Sequence, residues 1–493
     1  MQIAPRNRRP PTRPRRVAFR HEWLPFVLVP LVGWWAGSAL AAGGTRAFLA
    51  IAVGCAAGGA TLVALIPRDR LRADFAAVEL PVLLILLSEL VFRQRDAESL
   101  ASNPLDPAGL FRVACTGLAL LLGILALTSP ASGVEKRITT RPFRLYCLYV
   151  FVVFVGAPLS INLPLTAYRG IELLVGVIVV VGAYRHVGKT STDRILALLY
   201  WFAVASAVLL WVEALVVPGS AFSSVDSPLP IQLQGVFPVV SSNGAGLLGA
   251  TIALWSLAKL LSPQDRGSVG RRTLAILTAL GFATLALAQY RTGFIAAGVG
   301  LLVLLALRHR AAAFWVIMAG TLVATLWGPA IGRIASPLWQ RGANAEVLSD
   351  LSGRFTYWDN ALPVWKESPL FGRGLLTASR FEVLAKIGAT YTSGIHGTWV
   401  EALVGTGLIG LSLLAASFLL TSVRALRESV RPGGLIVPLI LLTLLAVRSI
   451  TGTTFEIAGG GSIELMTIAL LLRDPPMLGR RARASTGSVA ARA

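Results

Sequence analysis

One histidine of this chain is placed differently from the other three. His396 stands in SGIHGTWVEALVGTGLIG (393–410), directly before a long apolar run that carries the carboxylate Glu401. The remaining histidines, His21, His186 and His309, lie among arginines at the ends of apolar runs, where a solvated role is expected. An imidazole with a pKa near neutrality can act as a general acid or base. A single histidine is more often structural than catalytic, but its position makes His396 the candidate catalytic residue.

Five arginines are predicted to share one side of a membrane with His396. They are Arg169 in TAYRG, Arg291 in AQYRTG, Arg354 in SGRFTYW, Arg373 in PLFGRG and Arg448 in LAVRSI. Any one could extend its guanidinium to lipid headgroups. Five on one face favour a phosphorylated ligand instead, because guanidinium binds phosphate in a bidentate geometry. The sequence has no Walker A motif, no DxD pair and no metal-type spacing of His, Cys or acids. We therefore expect arginines to hold the phosphate, with no metal and no cofactor.

Acids inside apolar runs are costly and are functional candidates by default. Four lie well within such runs: Glu172, Glu213, Glu401 and Glu464. If one helix carried both His396 and Glu401, five residues would separate them by about 140°, so the carboxylate is expected to face an arginine or another helix. The glycines of GTGLIG, at 405, 407 and 410, predict close packing of this helix against a neighbour.

The elements that position these residues are predicted to be membrane-spanning helices. The chain of 493 residues is 55% hydrophobic and only 14% charged, with a mean hydropathy of +0.70. Its apolar runs are long enough to cross about 30 Å of hydrocarbon, and they lack the alternation of a barrel strand. The predicted fold is an all-α polytopic membrane protein of about fourteen spans: 24–42, 47–66, 76–92, 109–129, 145–164, 169–184, 195–216, 242–262, 273–289, 293–307, 312–330, 397–420, 435–450 and 458–472.

The distribution of basic residues predicts the orientation of these spans. A net charge of +21 could indicate a nucleic-acid partner, but the arginines cluster in alternate connections and at both ends of the chain. That pattern is typical of cytoplasmic segments. We therefore expect no nucleic-acid partner, a basic cytoplasmic N-terminus (1–22), an integral membrane domain (23–472) and a basic cytoplasmic tail (473–493).

Two predicted outer connections are longer than the rest. Residues 217–240 are rich in Pro and Ser, and residues 331–396 join spans 11 and 12. The second contains six phenylalanines and tryptophans, including Trp358, too many for a disordered tether. It is expected to fold into short helices over the bundle, with Pro363 bending or ending one of them.

Several of these stretches together resemble the O-antigen ligase and polymerase family. HGTWVEALVGTGLIG (396–410) resembles its C-terminal motif, and QYRTG resembles its arginine segment at a span boundary. SGRFTYWDNALPVWKESPLFGRG resembles its loop stretch, and VSSNGAGLLGA, with Asn243, resembles the start of one of its spans. The order and separation of the four stretches match over roughly 240–410. The sequence departs from the family pattern at Gly397, Gly405 and Tyr290, and it has two spans beyond the usual count.

The resemblance implies a GT-C-like helical fold in a bacterial inner (plasma) membrane. It also implies transfer of a glycan from a polyprenyl diphosphate to an acceptor on the extracytoplasmic face. At the matching positions, Arg291 and Arg354 would hold the donor diphosphate and His396 would act on the acceptor hydroxyl. The charge pattern of the sequence adds Arg169 and Arg373 as further candidates for binding the diphosphate. Glu401, Asn243, Arg448 and Trp358 would support the site.

Two alternatives stay open at the level of sequence. The acceptor could be a foreign glycan or lipid, as in a ligase, or another lipid-linked repeat, as in a polymerase. A secondary transporter could instead use Glu172, Glu464 and Arg448 for its substrate or for protons. Transporters often contain inverted repeats and broken helices, and the sequence predicts neither.

Overall fold

A computed structural model describes residues 70–91, 106–128, 140–224, 229–263, 265–266, 269–323, 325, 354–388 and 394–472. The first two predicted spans, both basic termini and residues 331–353 of the predicted outer loop lie outside the described residues.

The described part is built mainly from helices. In chain order these are α1 (Arg70–Ala77), α2 (Glu79–Ser88), α3 (Pro107–Thr128), α4 (Arg141–Gly156), α5 (Leu163–Val187), α6 (Thr190–Val216), α7 (Pro218–Ala221), α8 (Ser242–Leu261), α9 (Arg271–Ala288), α10 (Arg291–Arg308), α11 (Arg310–Val323), α12 (Arg354–Glu367), α13 (Thr398–Ser429), α14 (Val437–Thr451) and α15 (Gly460–Leu471). Short 3-10 and π-helical turns follow α4 and α12.

Eight of these helices are long and apolar enough to cross a membrane, namely α3, α4, α5, α6, α8, α9, α10 and α13. Four shorter apolar helices, α2, α11, α14 and α15, also coincide with predicted spans. The chain is therefore a multi-pass membrane protein. The total of fourteen spans and the side on which each connection lies stay predictions.

Several helices begin where a polar side chain caps the first turn. The side chains of Thr140, Asn162 and Ser241 accept hydrogen bonds from the backbone N–H groups of Phe143, Leu165 and Gly244. Such caps satisfy N–H groups that have no partner within the helix. They fix the starts of α4, α5 and α8.

The connection between α6 and α8 contains two small antiparallel strand pairs. Strand β1 (Phe222–Ser224) pairs with β2 (Ile231–Leu233), and β3 (Gly235–Val236) pairs with β4 (Val239–Val240). The carboxylate of Glu213 accepts hydrogen bonds from Val236 N and Phe237 N at 2.9 and 3.0 Å. The all-helical prediction missed these strands, because Pro and Ser in this stretch indicate turns rather than strand pairing.

Small residues and buried tyrosines hold the core together. A Cβ atom on Gly281 would lie 2.4 Å from Ala253 N, so α8 and α9 approach at near-backbone contact. The hydroxyls of Tyr146 and Tyr149 donate to the backbone oxygens of Phe455 and Glu456, at 2.8 and 2.7 Å. These bonds anchor the turn between α14 and α15 to α4.

Helix α13 is broken at Gly407, where φ is +66° and ψ is −169°. The segment 369–374 fills the break. Arg373 N and Gly374 N donate to Val404 O and Gly405 O at 2.9 and 3.0 Å, while Leu408 N and Ile409 N donate to Pro369 O and Leu370 O at 2.9 and 3.2 Å. The close packing predicted for the glycines of GTGLIG is present, but the neighbour is the backbone of this segment and not another helix: a Cβ atom on Gly405 would lie 2.8 Å from Leu375 Cα. The glycines of GTGLIG leave room for the backbone of residues 369–374. Gly407 is nine residues after Thr398, so the break lies about 14 Å along α13 from its start at 1.5 Å per residue.

The segment 354–388 contains the short helices that the aromatic residues predicted. Helix α12 continues through Pro363 to Glu367, so the proline does not end the helix. A π-helical turn (Ala378–Leu384) follows, and both pieces pack against α13. Residues 331–353 of the same connection lie outside the described part.

Candidate functional site

His396 lies outside helix α13, two residues before its first residue. The backbone of His396 adopts the left-handed conformation, with φ at +52°. Hydrogen bonds hold the chain just before and just after it. Trp358 Nε1 donates to Ile395 O at 3.3 Å, and Thr398 Oγ1 donates to Gly452 O at 3.0 Å. The Tyr357 ring centroid is 6.3 Å from that of His396. The imidazole is thus fixed between α12 and the start of α13.

Arg354 is the first residue of α12 and acts electrostatically on His396. Burial lowers the pKa of His396 below its ordinary value, and the positive charge of Arg354 lowers it further. Burial also lowers the pKa of Arg354, an effect that Tyr290 and Tyr357 partly offset. Arginine stays protonated in proteins. The site therefore combines a fixed positive charge with an imidazole that is neutral near pH 7 and able to accept a proton.

Tyr290 and Arg291 bring the start of α10 to the same place. Tyr290 interacts with Arg354, and Arg291 follows it as the first residue of α10. The N-terminus of a helix favours anions, because its first N–H groups point outward. Thr451 Oγ1 donates to Thr292 Oγ1 at 3.0 Å, which ties this helix end to α14.

Helices α8 and α14 bring further residues to Tyr290. A Cβ atom on Gly246 would lie 2.2 Å from Tyr290 Cβ, so α8 touches Tyr290 there. Asn243 is three residues earlier, on the same face of α8. Arg448, on α14, acts electrostatically on Tyr290 and is balanced by Glu456 and Glu464.

We call Tyr290, Arg291, Arg354, His396 and Arg448 the arginine–histidine cluster. Its members come from α10, α12, α14 and the turn before α13. Residues 276–415 match the family model described as O-antigen ligase. This stretch is an O-antigen ligase domain. No curated protein matches the chain.

The ligase domain contains four members of the cluster, and Arg448 lies beyond it. Asn243 and Glu456 also lie outside the matched range. The family resemblance of the sequence is thus confirmed. The roles of individual residues stay predictions.

Arg169 has carboxylate partners away from the ligase domain. Its Nη1 is 2.7 Å from Glu172 Oε2. Arg112 Nε is 2.6 Å from the other oxygen of Glu172, and Arg112 also pairs with Glu89 at 3.0 Å. The positive charges of Arg112 and Arg169 are balanced by the negative charges of Glu89 and Glu172. We therefore leave Arg169 out of the set of residues proposed to bind the donor.

Arg373 also has carboxylate partners, within the ligase domain. Its guanidinium is 3.0 Å from Glu382 and 3.1 Å from Glu367. Its backbone N–H meanwhile joins the break in α13. Both features give Arg373 a structural role in the segment 367–382, and we leave it out of the proposed set as well.

Glu401 lies against the segment that precedes His396. Its Oε1 accepts hydrogen bonds from Leu376 N at 3.0 Å and Ser379 Oγ at 2.9 Å. Neither donor is an arginine, and Ser379 lies in the π-helical turn Ala378–Leu384. The carboxylate instead meets the segment that precedes His396.

The sequence reasoning missed the importance of Tyr290, Tyr357 and Glu456. Tyr290 acts electrostatically on both Arg354 and Arg448, although in the sequence it stands out only as a departure from the family pattern. Tyr357 belongs to SGRFTYW, one of the stretches that carry the family resemblance. Glu456 is fully buried, and the signal that could have found it is an acid in the short connection between two apolar runs.

Proposed function

We propose that this protein transfers a glycan from a polyprenyl-diphosphate donor to an acceptor hydroxyl on the extracytoplasmic face of the bacterial plasma membrane. The observation that supports it most directly is the convergence of Arg354, His396 and Tyr290–Arg291 within an O-antigen ligase domain. A fixed cation and a neutral imidazole at one place suit an anionic leaving group and a hydroxyl nucleophile.

The reaction divides between the two kinds of residue. The acceptor oxygen attacks the anomeric carbon and forms the new glycosidic bond, while the bond from that carbon to the diphosphate breaks. The polyprenyl diphosphate leaves with the bonding electrons, and His396 takes the hydroxyl proton. Direct displacement inverts the anomeric configuration.

Arg291 and Arg354 would stabilise the charge that develops on the leaving diphosphate. Stabilisation of this kind by fixed charges is often the largest contribution to catalysis. Arg354 has a second effect, because its charge helps to keep His396 unprotonated. Asn243, Trp358 and Arg448 would support the pocket from α8, α12 and α14.

The decisive experiment is His396→Ala in the full chain, assayed with a polyprenyl-diphosphate glycan in membranes or nanodiscs. Loss of a general base reduces transfer by roughly 10²–10⁴. His309→Ala is the matched control, because His309 lies at the far end of α10 and is exposed. Wild-type turnover of His396→Ala would refute the proposed role of His396.

Metal dependence gives an independent test of how the diphosphate is held. If arginines hold it, transfer continues in EDTA. Loss of activity that Mg²⁺ or Mn²⁺ restores would refute arginine-only binding.

The acceptor decides between ligase and polymerase chemistry. Incubation with the lipid-linked repeat alone gives longer lipid-linked chains if the protein is a polymerase. A ligase consumes the donor only when a different acceptor is present.

The broken helix α13 favours a second candidate function, secondary transport, because transporters bind substrates at such breaks. Here, however, the backbone groups beside Gly407 bond to residues 369–374 of the same chain. Flux of a lipid-linked glycan across proteoliposomes without product formation would favour transport.

A further inference from the structure

We infer that Glu401 is a positioning residue for His396: its buried carboxylate joins the two stretches of chain that flank residues 389–393 and so fixes the turn that carries the imidazole. The inference rests on the proposed function, since it assigns Glu401 a role in the reaction of His396. It concerns the arrangement of the loop and not contact with the substrate.

The carboxylate of Glu401 is fully buried at the start of α13. On one side it accepts hydrogen bonds from Leu376 N at 3.0 Å and Ser379 Oγ at 2.9 Å. These two groups belong to the stretch that follows the segment inserted at Gly407. Glu401 thus holds the chain before the undescribed residues 389–393.

On the other side the same carboxylate meets the residues that lead into His396. The backbone N–H of Ile395 interacts with it, and a Cβ atom on Gly394 would lie 3.4 Å from Oε2. Ile395 O is also the acceptor for Trp358 Nε1. The residue directly before His396 is therefore hydrogen-bonded at its carbonyl group, and its N–H side lies against the Glu401 carboxylate.

The left-handed backbone of His396 explains why such restraint is needed. A residue with a side chain adopts positive φ at a cost of roughly 1–3 kcal/mol and does so only where the surroundings impose it. Without the contacts to Glu401, the 394–396 turn is free to relax to ordinary conformations. The imidazole would then leave its position beside Arg354 and Tyr357.

Charged and titratable groups surround both residues. Among the described residues, Arg354 and Tyr357 from α12 face His396. Glu456, from the turn after α14, and Tyr149, from α4, act on Glu401. Glu401 therefore affects His396 through the position of the loop, and Arg354 does so through charge.

Glu401→Gln tests the inference with little change in shape. Glutamine keeps one acceptor oxygen, which can replace Oε1 as the acceptor for Leu376 N and Ser379 Oγ. Its NH2 group then takes the place of Oε2 and faces Gly394 and the backbone N–H of Ile395. Glu213→Gln is the matched control. Glu213 is likewise a buried helical carboxylate that accepts two loop N–H groups, but its loop does not carry His396.

The measurements are kcat, the KM for the donor and the pH dependence of kcat/KM, each on protein of verified monodispersity. Misplacement of a catalytic group by about 1 Å can lower the rate by about 10². We expect Glu401→Gln to lower kcat by roughly tenfold to a hundredfold and to leave the donor KM within about threefold. The acid limb should move to higher pH, because a loosened His396 regains water and loses the lowering of its pKa by burial. Ser379→Ala, which removes one donor only, should shift both quantities in the same direction by less.

The outcomes separate this inference from the proposed function. If His396→Ala is inactive while Glu401→Gln matches Glu213→Gln in kcat and pH profile, the positioning role is refuted and the proposed function stands. If His396→Ala keeps full activity, the proposed role of His396 is refuted together with this inference. Should Glu401→Gln not be obtained as folded protein, a Ser379→Ala variant with the wild-type acid limb would refute the inference.

Discussion

The break in α13 gives the sharpest test of the architecture, through Gly407→Ala. The φ of +66° and ψ of −169° at this residue lie in a region that is essentially restricted to glycine. A Cβ atom there would be 2.3 Å from both C and O of Leu370 and 2.5 Å from Phe371 N. The close atoms belong to the backbone, so a rotamer change cannot relieve the overlap.

The expected cost follows from two contributions. Alanine in this conformation is strained by about 1–3 kcal/mol. Displacement of residues 370–371 also breaks the bonds from Leu408 N to Pro369 O and from Ile409 N to Leu370 O, at about 0.5–1.5 kcal/mol each. Together, Gly407→Ala should lower the free energy of unfolding by about 2–6 kcal/mol.

The assay is equilibrium unfolding of the purified protein in mixed detergent micelles, with Gly298→Ala as the control. A Cβ atom on Gly298, in α10, would have nothing within 4 Å, so alanine there should be neutral or stabilise the helix by about 0.5–1 kcal/mol. Equal stability of the two variants would refute the insertion of residues 369–374 into α13.

Two further predictions concern charges. Glu172→Gln should destabilise the protein by about 3–5 kcal/mol, because it removes the buried carboxylate charge that pairs with Arg112 at one oxygen and with Arg169 at the other. Glu428→Gln, at the exposed pair with Arg431, should cost no more than about 1 kcal/mol, and equal costs in the same unfolding assay would contradict this view. Arg354→Gln should shift the acid limb of kcat/KM to higher pH, since the Arg354 charge lowers the pKa of His396 and the neutral form is the base. Arg354→Lys should keep the limb in place while weakening donor binding, and an unchanged limb in Arg354→Gln would exclude electrostatic control by Arg354.

Much of the fold could be predicted because hydrophobic length alone identifies membrane helices. The twelve predicted spans from residue 76 onward each coincide with an apolar helix. His396, Arg354 and Arg291 were identified by their chemistry and by the predicted sidedness of their segments. Contacts between segments that are distant in sequence could not be predicted from hydrophobic length, residue type or sidedness. The partners of Arg169 and Arg373 depend on where Glu172, Arg112 and Glu382 come together in space.

The glycines of GTGLIG show most clearly where sequence reasoning stops. Three glycines in a span are compatible with a tight helix pair and equally with a break that admits another segment. The distinction depends on PLFGRG, more than thirty residues earlier, whose backbone supplies the missing hydrogen bonds. Because pairing of this kind is made by the backbone, no side-chain pattern in either segment identifies the other.

The inserted segment also explains how one helix can organise both sides of the candidate site. Non-helical backbone within a membrane protein is stable only where its polar groups are paired, and residues 369–374 are paired with α13 on both sides of Gly407. Arg354 lies fifteen residues before this junction, in α12, and His396 lies beyond it. Glu401, six residues before Gly407, accepts hydrogen bonds from Leu376 and Ser379 in the chain that leads back to His396. Arg354 and His396 are thus both held in position relative to α13. Arg354 is held through the inserted backbone, and His396 is held through the buried carboxylate of Glu401. Loosening either attachment should alter the separation of Arg354 and His396 without removing a group that touches the substrate.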